Sequence, residues 1–197
     1  MKSSYLCASA ALACAVLLTA CGGSDGQLLL AGTITGVTKP GMVLMNNGGS
    51  EFEVPVPSNG TGSTTFRFPE LISSDDKYDV QVKSVPSNVD ITTCQYLYNK
   101  GRAGFDVTNI QISCAFRTQA LGGTVSNLKG ELVLINGADR VIVPAGATTF
   151  TMARVAQDAP YGVSILTNPA NQSCTVANGV GTMGAADVNN VTVTCAP

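Results

Sequence analysis

The sequence contains no histidine and no tryptophan, and charged residues make up only 12% of it. Because histidine is absent, the chain lacks the usual general base, the usual triad member and the commonest metal ligand. Its eleven basic and thirteen acidic side chains are scattered, and no basic run indicates a nucleic-acid-binding surface. The composition therefore predicts no cofactor, no metal site and no nucleic-acid partner. It also argues against an enzyme.

One apolar run is present near the N-terminus. Residues 6–18 form a stretch of thirteen behind Lys2, too short for a membrane-spanning helix and typical of a secretory signal. The adjoining Leu18-Thr19-Ala20-Cys21 resembles the lipobox of bacterial lipoproteins, in which the cysteine thiol receives a diacylglycerol and the signal is cut just before it. The alternative is an ordinary cleaved signal with a chance cysteine. The resemblance implies a signal peptide over residues 1–20, lipid on Cys21 and a tether over residues 21–26.

The residue after Cys21 bears on location. Retention of bacterial lipoproteins in the inner membrane commonly depends on an aspartate at that position, and this chain has Gly22. The resemblance therefore implies an outer-membrane protein that faces either the periplasm or the cell surface. Its membrane partner would be reached through the lipid on Cys21, since several acyl chains together anchor a protein stably.

The seven cysteines fall into three groups. Cys7 and Cys14 lie within the predicted signal, and Cys21 is the predicted site of lipid attachment. Four cysteines remain in an exported chain, and an oxidising compartment makes two disulfides the default. These four are Cys94, Cys114, Cys174 and Cys195.

The chain repeats itself. Blocks of sequence in the first half return in the same order in the second half, and the first copy carries extra residues that we place in loops. We predict module 1 over residues 27–116 and module 2 over residues 117–197. The matching blocks are Gly32-Thr33-Ile34 with Gly123-Thr124-Val125, 43–46 with 133–136, 64–66 with 148–150, 78–82 with 161–165, 86–88 with 169–171, and 107–114 with 188–195.

Apolar and polar residues alternate along both copies, which is the period of a strand with one buried face. Asn-Gly and glycine-rich stretches separate these segments as turns. Six or seven short strands in each copy predict an all-β fold of two tandem antiparallel β-sandwiches of immunoglobulin-like type. The alternating sets are Phe52, Val54 and Val56; Tyr78, Val80 and Val82; Ile110, Ile112 and Cys114; Val141 and Val143; Tyr161, Val163 and Ile165; and Val191, Val193 and Cys195.

The repeat selects one cysteine pairing. In each copy a glycine-rich run, near residues 104 and 184, lies midway between two cysteines, so the last strands can fold back and bring them together. The pairing predicts one bridge per module, and closing a loop of about 20 residues is worth about 3 kcal/mol in the chain-entropy model. A redox role is the alternative, but no Cys-x-x-Cys spacing supports it. The predicted bridges are Cys94–Cys114 and Cys174–Cys195.

The pattern resembles a repeat module of bacterial envelope proteins. Its members carry Gly-Thr-Val, a Val-Leu-x-Asn-Asn-Gly hairpin, a Tyr-x-Val-x-Val strand, an Asn-Gly turn and a closing Val-x-Asn-Val-x-Val-x-Cys. The second copy fits closely through residues 168–179, whereas the first departs at Asn99-Lys100-Gly101 and in an enlarged loop over residues 59–65. The resemblance implies a tandem immunoglobulin-like fold in the cell envelope and implies no activity.

Two groups of carboxylates in module 1 are the candidates for chemistry. Glu51 and Glu53 are two residues apart and share one face of a strand, and Asp75, Asp76 and Asp79 cluster in one predicted loop. A glycosidase pair or a calcium loop is the functional interpretation. Neither group has an established ligand spacing and module 2 keeps neither, so we expect a solvated strand face and a polar turn.

Aromatic side chains beside Cys94 are a candidate binding surface. Tyr96 and Tyr98 alternate along a predicted strand and share a face with Cys94, where they could line a sugar or peptide surface. Core packing against the disulfide is the interpretation that we favour. The residues Arg117-Thr118-Gln119-Ala120 are predicted to be a junction that belongs to neither core.

These patterns lead to three hypotheses about function. The first is a lipid-anchored envelope protein that presents a surface to an unidentified protein or glycan without catalysis. The second is a hydrolase that acts on envelope glycans or peptides through the carboxylates of module 1. The third is an accessory subunit of an outer-membrane complex. A carboxylate-lined cleft would favour the hydrolase, and an apolar patch or edge would favour a subunit.

Overall fold

The structure is a computed structural model, and it describes residues 26–197. The predicted signal peptide, Cys21 and most of the tether lie outside the described residues. Nearly all regular structure is β-strand, with one short 3₁₀ turn at Ile91–Thr93. This confirms the predicted all-β fold class. Within residues 26–197, no helix is long and apolar enough to span a membrane.

Module 1 contains ten strands and module 2 contains eight. The strands of module 1 are β1 Gln27–Leu28, β2 Leu30–Thr35, β3 Val43–Asn46, β4 Ser50–Glu53, β5 Ser63–Arg67, β6 Ile72–Ser73, β7 Lys77–Ser84, β8 Gln95–Leu97, β9 Lys100–Arg102 and β10 Val107–Ser113. The strands of module 2 are β11 Thr118–Ser126, β12 Leu132–Asn136, β13 Asp139–Val143, β14 Thr149–Ala156, β15 Pro160–Thr167, β16 Ser173–Ala177, β17 Val180–Thr182 and β18 Val188–Ala196.

Each module has two four-stranded sheets of matching order. One sheet, which we call the terminal sheet, contains the first long strand and the last strand of its module, in the orders β5-β2-β10-β8 and β14-β11-β18-β16. The other, which we call the central sheet, has the orders β4-β3-β7-β9 and β13-β12-β15-β17. Module 1 also has a small ribbon in which β1 pairs with β6. The chain therefore folds the same topology twice.

The sequence predicted antiparallel sandwiches, and this is wrong for one strand pair in each module. In each terminal sheet the first long strand lies parallel to the last, β2 beside β10 and β11 beside β18. Period-two alternation fixes which face of a strand is buried but says nothing about the direction of its neighbour. Parallel neighbours need a long crossover connection, and here the central sheet provides it.

Buried side chains form two separate clusters, one in each module. In each cluster both sheets contribute, as in Ile34 and Leu44 of module 1 and Val125 and Leu134 of module 2. No side chain belongs to both clusters among the described residues. Each set of strands thus encloses apolar side chains of its own, which is the arrangement of a domain that folds around its own core.

The prediction that residues 117–120 are a junction is wrong for three of the four. Strand β11 begins at Thr118, which pairs with Ala156 of β14. The error arose because Thr-Gln-Ala carries no alternating apolar signal, although backbone hydrogen bonding needs none. Of the four residues, only Arg117 lies outside a strand, and its backbone N–H donates to the carbonyl of Asn88 while its carbonyl accepts from Gln157, at 2.9 and 2.8 Å.

The path of the strands places the two ends of module 1 apart. Strands β2 and β10 run in parallel from the end that holds the β1–β6 ribbon, and β10 leads into β11 at the opposite end. Module 2 therefore sits at the far end of module 1 from the N-terminal strand. An ion pair crosses the joint, where Lys39 Nζ lies 2.7 Å from Asp158 Oδ2.

Candidate binding surfaces

The two disulfides close the terminal sheets. The structure pairs Cys94 with Cys114 and Cys174 with Cys195, as predicted. Cys174 and Cys195 stand directly opposite each other in the antiparallel pair of β16 and β18, and three of the four cysteines are buried. Buried cysteines are inert, so the two disulfides have a structural environment and not a reactive one.

Glu51 and Glu53 do share an exposed face of β4, but they do not form a catalytic pair. Lys83 forms an ion pair with Glu51 across the sheet. The two carboxylates of a glycosidase flank the scissile bond as acid and as base or nucleophile, whereas Glu51 and Glu53 lie side by side on one exposed strand and Glu51 is paired with Lys83. The face is solvated and ionic, as we expected.

The aspartates of module 1 are divided between a turn and a strand. Asp75 and Asp76 lie in the turn before β7, where Asp76 accepts from the backbone N–H of Ser73 at 2.9 Å and Asp75 pairs with Arg102 at 3.1 Å. Asp79, which the sequence had placed in the same loop, lies on β7 itself. The chain therefore does not bring the three carboxylates to one site. Among the described residues, no group of three or more aspartate, glutamate or cysteine side chains could hold a metal ion.

The electrostatic setting of Asp79 is that of a structural carboxylate. Partial burial by itself raises the pKa of Asp79, but a hydrogen bond from Gln81 and the hydrogen bond and charge of Lys100 outweigh it and lower the pKa below its ordinary value. Lys100 Nζ lies 2.9 Å from Asp79 Oδ2. A lowered pKa suits a permanent anion and is opposite to what a general acid requires.

Tyr96 and Tyr98 do not form one aromatic surface. Tyr96 lies on β8, packs against the core, and accepts a hydrogen bond from the backbone N–H of Val82 at 3.3 Å through its hydroxyl. Tyr98 follows the end of β8 with φ of 56° and is exposed. A residue in the left-handed region breaks the alternation of a strand, so the shared face that the sequence predicted does not exist.

The outer faces of the two central sheets are opposite in character. In module 1 the outward positions around β3 carry charge, namely Glu51 and Glu53 on β4, Lys83 on β7 and Lys100 on β9. Ion pairs join Lys83 to Glu51 and Lys100 to Asp79. Three of these four charged side chains are thus in ion pairs, and Glu53 is exposed to water.

In module 2 three of the four matching positions are apolar, and the fourth, where module 1 has Glu51, is Arg140. Pairing with β12 puts Ile142 where module 1 has Glu53, and pairing with Gly162 puts Val180 where module 1 has Lys100. Leu166 occupies the bulge position of β15 that corresponds to Lys83 on β7. The exposed fractions are 53% for Ile142, 53% for Leu166 and 81% for Val180. We call these three residues the apolar face of module 2.

One charged side chain borders the apolar face. Arg140 of β13 stands opposite Ile135, is exposed, and forms no ion pair within the described part of the chain. Three exposed aliphatic side chains, with Ser164 between them and a cation at the edge, suit contact with another largely apolar surface. The apolar face offers no activated nucleophile and no acid–base pair.

Sequence reasoning missed the apolar face, although a signal was present. Leu132-Val133-Leu134-Ile135 and Ile165-Leu166 are uninterrupted apolar runs within strands that otherwise alternate. An unbroken run indicates that both faces of a strand are apolar. Module 1 has the same kind of run at Met42-Val43-Leu44-Met45, but its second segment does not continue, since Lys83 follows Val82 where Leu166 follows Ile165.

Comparisons with known proteins add little to this geometry. The sequence matches no protein-family model, and no curated protein matches it. Solved structures that match include the major pilin proteins T-13 and T3.2 of Streptococcus pyogenes, both 10% identical, with TM-scores of 0.30 and 0.32; the matches cover 87% and 88% of this chain and 99% and 97% of those chains. A single B repeat unit of the collagen-binding surface protein of Staphylococcus aureus matches with 15% identity and a TM-score of 0.29, over 86% of this chain and 97% of that one. Likeness at this level carries no argument about function.

Proposed function

We propose that this protein is a lipid-anchored bacterial envelope protein that binds another protein through the apolar face of module 2 and catalyses no reaction. The observation that carries the proposal is the replacement of three outward positions that are charged in module 1 by Ile142, Leu166 and Val180 in module 2. Burying such side chains against a partner is worth about 25 cal/mol for each Å² removed from water. Module 1, which has the same fold with charged residues at these positions, serves as the reference for a surface that does not bind.

The chemistry of the face indicates the chemistry of its partner. Three aliphatic side chains call for an aliphatic or aromatic surface, and the unpaired Arg140 at the border calls for a carboxylate. A glycan offers neither large apolar area nor, in most cases, a matching charge. We therefore assign a protein partner, and an accessory role in an outer-membrane complex is the permanent form of the same function.

The proposed placement rests on the lipobox and on the direction of the strands. Lipid on Cys21 would tie the N-terminal end of module 1 to the outer membrane, and module 2 lies at the opposite end of module 1. Module 1 then acts as a spacer that holds the apolar face away from the bilayer. Two disulfides suit an oxidising compartment.

Crosslinking in intact cells tests the apolar face. A photoreactive residue at Ser164, which lies among the three apolar side chains, should yield a defined crosslinked protein, and one at Gln81, the matching position of module 1, should not. The triple variant Ile142→Glu, Leu166→Lys, Val180→Lys gives module 2 the residues that module 1 already tolerates, so it should fold. It should abolish the product from Ser164.

Three results would contradict the proposal. A product that the triple variant retains would show that the contact lies elsewhere. A product of twice the mass of this chain would show that the face pairs two copies of it, with no other partner involved. Absence of any product from Ser164 also counts against a bound partner.

The anchor is tested separately with Cys21→Ser. We expect this variant to lose palmitate labelling and either to leave the membrane fraction or to keep its signal. Labelling at the level of the unaltered protein would refute Cys21 as the lipid attachment site.

A further inference from the structure

The N-terminal end of module 1 carries exposed apolar side chains. Phe105, in the turn between β9 and β10, is 79% exposed, and Leu71, just before β6, is 42% exposed. The next residue after Phe105, Asp106, accepts a hydrogen bond from the backbone N–H of Leu29 at 2.8 Å. Leu28 pairs with Ile72 in the β1–β6 ribbon. Both exposed side chains are thus held at the end where the described chain begins.

Module 2 lacks this feature at the equivalent place. Its turn makes the same contact, since Asp187 accepts from the backbone N–H of Ala120 at 2.7 Å. The residue before this aspartate is Ala186, however, where module 1 has Phe105. The local fold therefore does not require an aromatic side chain in this turn, and Phe105 is not buried by any neighbour.

The length of chain outside the described residues restricts what lies near Phe105. From Cys21 to Gly26 there are five residue steps, which span at most about 18 Å when fully extended. If the acyl chains on Cys21 lie in the bilayer, the end of module 1 that carries Gly26 stays within that reach of the lipid headgroups. We propose that Phe105 and Leu71 insert into the interfacial layer of the membrane and fix the orientation of module 1 on it. The inference rests on the proposed lipid anchor.

The contact is apolar in origin. The acidic side chains at this end are engaged within the protein, with Asp106 on Leu29, Asp76 on Ser73 and Asp75 beside Arg102. Acidic side chains do not attract anionic lipids, and the exposed cations Arg67 and Lys77 at this end can add only an attraction that high salt screens. Aromatic and aliphatic side chains next to a lipid anchor strengthen membrane attachment through buried apolar area, so the contact should not need anionic lipid or low salt.

The absence of tryptophan from the sequence makes a direct test possible. Phe105→Trp places a single tryptophan at an exposed site, and Ala186→Trp places one in the matching turn of module 2. The lipidated full-length protein carrying either substitution would be reconstituted into phosphatidylcholine vesicles with and without brominated acyl chains. We expect brominated lipid to quench most of the emission from position 105 and little of the emission from position 186, equally at low and high salt.

Each outcome separates the two proposals. Equal quenching at the two positions in protein whose lipid is verified by mass would overturn the membrane contact and leave the anchor intact. Protein that carries no lipid when made in its bacterial host would remove the anchor itself. Quenching at position 105 that disappears at high salt would mean that charge, and not the apolar tip, holds module 1 to the bilayer, which also overturns the inference.

Discussion

The two modules are alike wherever the fold depends on a residue and different wherever it does not. Asn46 accepts from the backbone N–H of Asp79 at 3.0 Å, and Asn136 accepts from that of Gly162 at 2.8 Å. The aspartate that holds the first strand, the disulfide and the order of the strands recur as well. By contrast, three outward positions that are charged in the central sheet of module 1 are apolar in module 2, and Phe105 in the turn before the last strand of module 1 is replaced by Ala186. Function on a repeated fold is therefore sought at the positions where the copies disagree.

A glycine in each first long strand shows how closely the shared positions are constrained. Gly32 and Gly123 face a bulge of the neighbouring parallel strand, so the carbonyl oxygens of Ile110 and Val191 come against them. A Cβ atom would stand 2.2 Å from the oxygen in module 1 and 1.7 Å from it in module 2. The repeated glycine is thus explained by close approach of two backbones.

The largest expected effect concerns the independence of the two modules, which is tested by producing module 2 without module 1. Because each has its own buried cluster, residues 117–197 produced alone in an oxidising compartment should fold as β-structure and unfold cooperatively. Far-ultraviolet circular dichroism during heating is the measurement. A fragment that stays disordered until residues 27–116 are supplied would show that the two copies depend on a shared structure.

Removal of the disulfides should have the next largest effect and should differ between modules. Replacing both cysteines of either bridge with serine should cost about 3 kcal/mol of unfolding free energy, because the two loops have nearly equal length, with separations of 20 and 21. Strand β8 keeps only three register pairs with β10, whereas β16 has five with β18. Limited proteolysis of the Cys94/Cys114 variant should therefore cut within residues 95–106 before the other variant is cut. Equal resistance would contradict this reasoning.

Alanine substitutions at Gly32 and Gly123 test whether the close backbone approach constrains both modules. Gly32→Ala and Gly123→Ala should each cost about 1–3 kcal/mol as overpacking, with the larger loss at Gly123 because its neighbour is closer. Chemical denaturation of the full chain measures both. Gly104→Ala and Gly184→Ala are matched controls with open space around the added atom, and changes beyond about 0.5 kcal/mol there would mean that glycine flexibility dominates.

The smallest expected effect is the loss of stability of module 1 at acidic pH. Since the folded pKa of Asp79 is lowered, its ionised form stabilises module 1 above the unfolded pKa, which is near 3.8, and this stabilisation is lost as the pH falls through the folded value. Asp79→Asn should remove well under about 1 kcal/mol near neutral pH, since the pair with Lys100 is partly solvated. Module 2 has Gly162 at this position and should show no such dependence. The measurement is the unfolding free energy of the unaltered protein and of Asp79→Asn as a function of pH. A difference between them that is the same at neutral pH and at pH values below the folded pKa of Asp79 would contradict this prediction.

Much of the fold was readable from the sequence because it depends on local periodicity and on the repeat. Alternation predicted the buried positions of β7, β10, β15 and β18, such as Val80, Ile110, Val163 and Val191. The repeat limited four cysteines to one pairing. Asn46 and Asn136, however, were interpreted only as turn residues, because a hydrogen bond to a strand 26 or more residues away leaves no local signal.

The sequence by itself determined the number of modules, their strand periodicity and the partners of the cysteines, since each follows from order and spacing along one chain. Tertiary structure alone decided that β2 lies parallel to β10, that Tyr98 leaves its strand, and that Asp79 meets Lys100 rather than Asp75. It also decided that Ile142, Leu166 and Val180 share one exposed face and that Phe105 lies at the end nearest Cys21 in the chain. These are contacts between distant segments, and a strand's period fixes which side it buries without fixing which neighbour it meets.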